Sequence, residues 1–283
     1  MSKVVKVRTD RRRVELPTKV NVPPPNFIDY CLLFYGVKGV GKTSVAASIP
    51  NSIVLMLEPR RRNLRIKQWP VEGPQPTWLE IVEFLGLCRE QRIRPIIDTV
   101  DEAYFMCQKH VGLHYGKEFG SVSEVSEMPS DYWIDVREEF AKHFNQLLYD
   151  DIGVVFLSHA KPRAMETTEV KAMQTAPTCT PACWKYLKSV CDFAFYYGNH
   201  GKDRAMWLRG EDPWTGCGVD DHFLSPAGEP VRILPIPYAK TNGGQVAWET
   251  LLKSWDNKLY DMDESEKIEN KAAATKGKKF FAK

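Results

Sequence analysis

Eight consecutive residues carry the sharpest chemical signal in the chain. Gly36-Val37-Lys38-Gly39-Val40-Gly41-Lys42-Thr43 fits the spacing glycine, any four residues, glycine, lysine, threonine. Glycines at those positions let the backbone curl until successive N–H groups point at phosphate oxygens. Lys42 supplies a fixed positive charge for the outer phosphates, Thr43 a hydroxyl for Mg²⁺, and Ser44 one more amide in the same run. An apolar run, residues 30–35, precedes the motif, and a helical pattern closed by Pro50 follows it. The chemistry implied is binding of a nucleoside triphosphate with magnesium, and the cofactors expected are ATP and Mg²⁺.

A triphosphate site also needs carboxylates. Asp98 ends the apolar segment Pro95-Ile96-Ile97 and is the candidate for the magnesium side. Hydrolysis further requires a group that orients or deprotonates water. Glu58 is the first choice, closing the strand that follows the phosphate-loop helix and expected beside the phosphate-loop strand; Asp101 and Glu102 are the alternatives. His159, delivered with Ser158 at the end of Val154-Val155-Phe156-Leu157, suits a sensor of the terminal phosphate.

These residues need elements to hold them. Short apolar runs predict strands at 30–35, 52–57, 93–97 and 153–157, with later strands at 193–197, 205–209 and 231–235. Helical spacing of apolar residues predicts helices over 41–49, 78–91, 100–112, 132–149, 185–190 and 247–257. Residues 116–131 read as a polar loop. Residues 161–180 lack apolar periodicity and read as a mobile loop. Strands alternating with helices imply an α/β fold: a mostly parallel sheet flanked by helices, with antiparallel strands at its C-terminal edge.

The 283 residues are 43% hydrophobic and 27% charged, a globular balance, with a net charge of only +3. That excludes a uniformly nucleic-acid-coating protein. The charge is uneven, however. Lys3, Lys6, Arg8, Arg11, Arg12 and Arg13 face only Asp10 in residues 1–13, and six lysines face only Glu269 in residues 267–283. Basic arms of this kind are drawn to polyphosphate by counterion release. The chain therefore divides into a basic arm (1–27), a body (28–257) and a lysine-rich tail (258–283). No apolar run is long enough to span a membrane, and no secretory signal is expected. Seven cysteines, an odd number, suit a reducing cytoplasm better than a disulfide framework. Cys179, Cys183 and Cys191 lack the paired spacing of a zinc knuckle.

Several cations and aromatics remain. Arg60, Arg61 and Arg62 read as a solvated turn. Lys202, Arg204 and Arg209 lie near late strands. Trp184-Lys185-Tyr186 with Lys188 is the best local match to a platform on which single-stranded DNA bases stack. Trp69 and Trp133 sit in apolar patterns and read as core or rim.

The phosphate loop, Glu58 in LMLEP, Asp98 in PIIDTVDE, the Trp133 helix and VVFLSHAK together resemble the RecA-like phage ATP-binding proteins, a phage AAA-domain family that includes ATPases promoting single-strand annealing and recombination. The resemblance spans about residues 28–257. It implies a RecA-like core, ATP hydrolysis, assembly into a homo-oligomer, single-stranded DNA as partner and the host cytoplasm as location. It also assigns water activation to Glu58, phosphate sensing to His159 and DNA contact to residues 161–180. The other reading is an ATP-gated adaptor that switches a protein partner without touching DNA.

Overall fold

The computed structural model describes residues 23–58, 64–166, 171–209 and 221–259. For 163–166 and 171–174 that description is of the backbone. The basic arm to residue 22, the three arginines at 60–62 and the tail from residue 260 lie outside the described residues.

Among the described residues the sheet has nine strands. They are β1 (Leu32–Gly36), β2 (Ser52–Met56), β3 (Gln68–Trp69), β4 (Arg94–Asp98), β5 (Val155–Glu166), β6 (Lys171–Pro177), β7 (Phe193–His200), β8 (Asp203–Trp207) and β9 (Ile233–Ile236). Eight run in the order β3-β2-β4-β5-β1-β7-β8-β9, and β6 pairs with β5. The pairs from β3 to β7 are parallel, while β7–β8 and β8–β9 are antiparallel. This is the expected α/β architecture. Parallel strands must be buried on both faces, which is why β1 reads as an unbroken apolar run: all five of its residues are buried.

Helices cover both faces. One apolar core gathers side chains from α2 (Trp78–Glu90), α3 (Val100–His114), α4 (Ser130–Tyr149) and α5 (Pro181–Val190). The other gathers those from α1 (Lys42–Ala46) and α6 (Gly243–Trp255). Helix starts follow local chemistry. Thr77 and Glu80 form a reciprocal capping box on α2, and the Thr180 hydroxyl accepts from the Cys183 amide at the start of α5. In α4, Val136, Phe140, Phe144 and Leu147 recur on one buried face.

Two loop expectations are corrected. The described residues of 161–180 are not an irregular loop. β5 continues seven residues past His159 and pairs antiparallel with β6, from Ala160 opposite Pro177 to Glu166 opposite Lys171. Main-chain pairing holds this ribbon, which has left the parallel sheet, so the apolar alternation that marks a buried strand is missing. Within 116–131, residues Val122–Glu127 form a 3₁₀ helix, and α4 begins at Ser130.

Candidate nucleotide-binding site

The phosphate loop leaves β1 at Gly36 and enters α1 at Lys42. Gly39 and Gly41 have φ of 81° and 105°, a region that side chains with a Cβ rarely adopt. Gly36 is required for another reason: a Cβ there would lie 1.9 Å from the Tyr197 carbonyl oxygen. The loop is thereby pressed against β7.

Lys42 is buried, and its Nζ donates to the carbonyl oxygens of Gly36 (2.9 Å) and Val37 (3.1 Å). Burial pulls its ammonium below the ordinary lysine value, against the opposing pull of Asp98, Glu58 and Asp101. The Thr43 hydroxyl donates to Asp98 Oδ2 at 2.7 Å. Asp98 is buried at the end of β4, and burial raises its carboxyl above the usual carboxylate range while the Thr43 bond works the other way. Two hard oxygen donors, a hydroxyl and a carboxylate, stand side by side there, a set that suits Mg²⁺.

On the other side of Lys42, His159 Nδ1 lies 3.5 Å from its Nζ. His159 Nε2 contacts Glu58 Oε1. An ammonium can only donate, so Nδ1 is the acceptor and Nε2–H donates to Glu58. That bond, ahead of an opposing effect of burial, holds Glu58 below the ordinary glutamate value. The structure thus brings Lys42, Thr43, Asp98, Glu58 and His159 into one constellation at the C-terminal ends of β1, β2 and β4 and at the middle of β5, where that strand leaves the parallel sheet. One expectation fails: β2 does not neighbour β1, because β4 and β5 intervene. Glu58 reaches the site through its contact with His159.

One partner of this constellation, Thr178, carries no mark in the sequence. The Thr178 hydroxyl, just beyond β6, donates to Asp101 Oδ1 at 2.6 Å, and its amide donates to the His159 carbonyl at 2.9 Å. The ribbon is therefore fastened at its base to the histidine. A cavity of about 730 Å³ opens beside Ser44, lined also by Leu64, Ile66, Asn242 and Gly244.

Other candidates fall away. Trp184 and Tyr186 are buried in the α3–α4–α5 core, so they offer no stacking platform. The period of α5 faces both inward, which the local cations had obscured. Trp69 stacks on Phe84, and Trp133 packs edge-on to Tyr132. Arg209 Nη2 donates to the His222 carbonyl of its own chain.

Residues 28–216, two-thirds of the chain, match the family model of an AAA domain, AAA_24. The chain belongs to that AAA-domain family. No curated protein matches this AAA-domain chain in sequence. Among solved structures it is similar to a prototypical ATPase from the type III secretion system of pathogenic bacteria, at 15% identity and a TM-score of 0.36. The alignment covers 68% of this chain and 57% of that one, so the AAA-domain chain spans little more than half of that protein's length. No described helix is long and apolar enough to cross a membrane.

Proposed function

We propose that the chain is a magnesium-dependent ATPase that works on single-stranded DNA in phage recombination, annealing or replication, as a homo-oligomer in the host cytoplasm. The observation that carries the enzymatic part is the single constellation of Lys42, Thr43–Asp98 and Glu58–His159. Bound ATP·Mg²⁺ would supply the scissile phosphoanhydride and its charge-neutralising cation. Lys42 exchanges its Gly36 and Val37 carbonyls for phosphate oxygens. Thr43 and Asp98 hold the metal side. Glu58, kept ionised by His159, orients water and takes its proton, and His159 reports the terminal phosphate. The cavity beside Ser44 is where ribose and base would lie. The DNA part is supported by the ribbon of β5 and β6, which leaves the sheet directly from His159 and carries the exposed Lys161, together with the basic arms.

ATP turnover by the full chain, with and without single-stranded oligonucleotide at low salt, tests both parts. Stimulation that vanishes in Lys42→Ala and weakens when residues 1–13 and 267–283 are removed is the expected result. Turnover indifferent to DNA would replace the DNA partner with a protein one. Absence of both nucleotide binding and turnover would overturn the ATPase reading.

A further inference from the structure

The phosphate loop has a second cation beside it. β8 runs antiparallel to β7, so it begins where β7 ends, at the edge of the sheet that carries the loop. Arg204, its second residue, lies opposite Asn199 of β7 and Ile236 of β9. A Cβ built on Gly41 would sit 3.4 Å from Arg204 Nη1 and 3.8 Å from Tyr197 Cε1. The Tyr197 ring, buried against the loop, is thus a neighbour of the same turn, and the guanidinium charge works against the rise that burial gives its phenol.

The pairing of β8 with β7 fixes where the Arg204 Cα stands, and its guanidinium reaches the Gly41 turn beside the Tyr197 ring. Among the described residues no carboxylate pairs with it. Lys42 meets Glu58, His159 and Asp98 on the β5 side of the loop; Arg204 approaches from the β7 side, where no described carboxylate pairs with it. A guanidinium held at a phosphate loop without a counter-ion is matched to a phosphate oxygen, which it can grip with two N–H groups.

Resting on the ATPase reading, we infer that Arg204 is a nucleotide-binding residue acting within its own chain, contacting the phosphates from the β7 side, rather than a cation offered to a neighbouring subunit. Its contribution is to binding: it lies on the opposite side of the loop from Glu58 and His159, so its loss is felt in affinity more than in the rate constant of the bound complex.

Calorimetric titration of the full chain with Mg·ADP tests this, in wild type, Arg204→Ala, Arg204→Lys and Lys42→Ala. The expected result is a roughly tenfold or greater weakening in Arg204→Ala, largely recovered in Arg204→Lys, since a charge-assisted hydrogen bond is lost and then partly restored. If Arg204→Ala fails to fold by circular dichroism, Arg204→Gln replaces it against Arg204→Lys: equal affinity in that pair overturns the inference, and a several-fold advantage for lysine sustains it. Wild-type binding that Arg204→Ala retains within twofold overturns the role of Arg204 and leaves the phosphate loop standing. Absence of binding in wild type overturns the ATPase reading and the inference with it.

Discussion

Glu58 and His159 lie 101 residues apart in the chain and share one hydrogen bond. That bond sets a pH expectation. Glu58 titrates below an ordinary glutamate because His159 hydrogen-bonds to it. A depressed carboxyl contributes stability that is present above its unfolded value and lost as pH falls through its folded value. His159→Ala removes the first cause of the depression. The Glu58 carboxyl should then titrate at higher pH in a carbon-13 NMR titration, and the acid limb of residual turnover should move up with it; an unmoved titration would mean that His159 does not govern Glu58. Each residue was legible alone, because an acid or a histidine ending an apolar run is a local pattern. Their pairing was not, since it depends on strand order. The phosphate loop was legible in full, because its chemistry lies within eight adjacent residues.

At the scale of elements, the contact between α1 and α6 is a second close constraint on the loop, after that of Gly36 on β7. A Cβ on Gly244 would stand 2.3 Å from the Ser44 carbonyl oxygen and 2.6 Å from its carbon, both main-chain atoms that cannot swing aside. In an open helix alanine gains roughly 1 kcal/mol over glycine. Here Gly244→Ala should instead destabilise by about 1–3 kcal/mol, by overpacking, in a urea unfolding series. A stabilised variant would show that α6 moves off α1 freely. Nothing in residues 243–244 distinguishes a close-approach glycine from a flexible turn, so the Gly244 contact was invisible in sequence. The ribbon was misread for a related reason: the pairing of β5 with β6 is written in the main chain, whereas periodicity detects only buried faces. α5 misled in the opposite way, its cations suggesting an exposed surface although Trp184 and Tyr186 point inward.

At the largest scale, the described residues form one sheet between two cores, and the site sits along the sheet edge that both cores support. Nucleotide binding should therefore stabilise the fold as a unit. Mg·ADP at about a hundred times its dissociation constant should add roughly 2.7 kcal/mol, seen as a rise in Tm of a few degrees. Lys42→Ala should melt without that rise. An equal rise in the variant would place the binding elsewhere. The α/β class was readable at this scale because strands buried on both faces announce themselves as apolar runs. The sheet order and the two-residue β3 were not, since neither leaves a periodic trace.

β5 belongs to two structures at once. Its first half is locked between β1 and β4, and its second half projects as one side of the ribbon, roughly 23 Å from His159 to Glu166 at the usual rise per residue. The return strand is stitched to the root of that projection by Thr178, through the His159 carbonyl and Asp101. The ribbon is thus an oar whose rowlock is an imidazole: one strand carries both the blade and the side chain standing between Lys42 and Glu58.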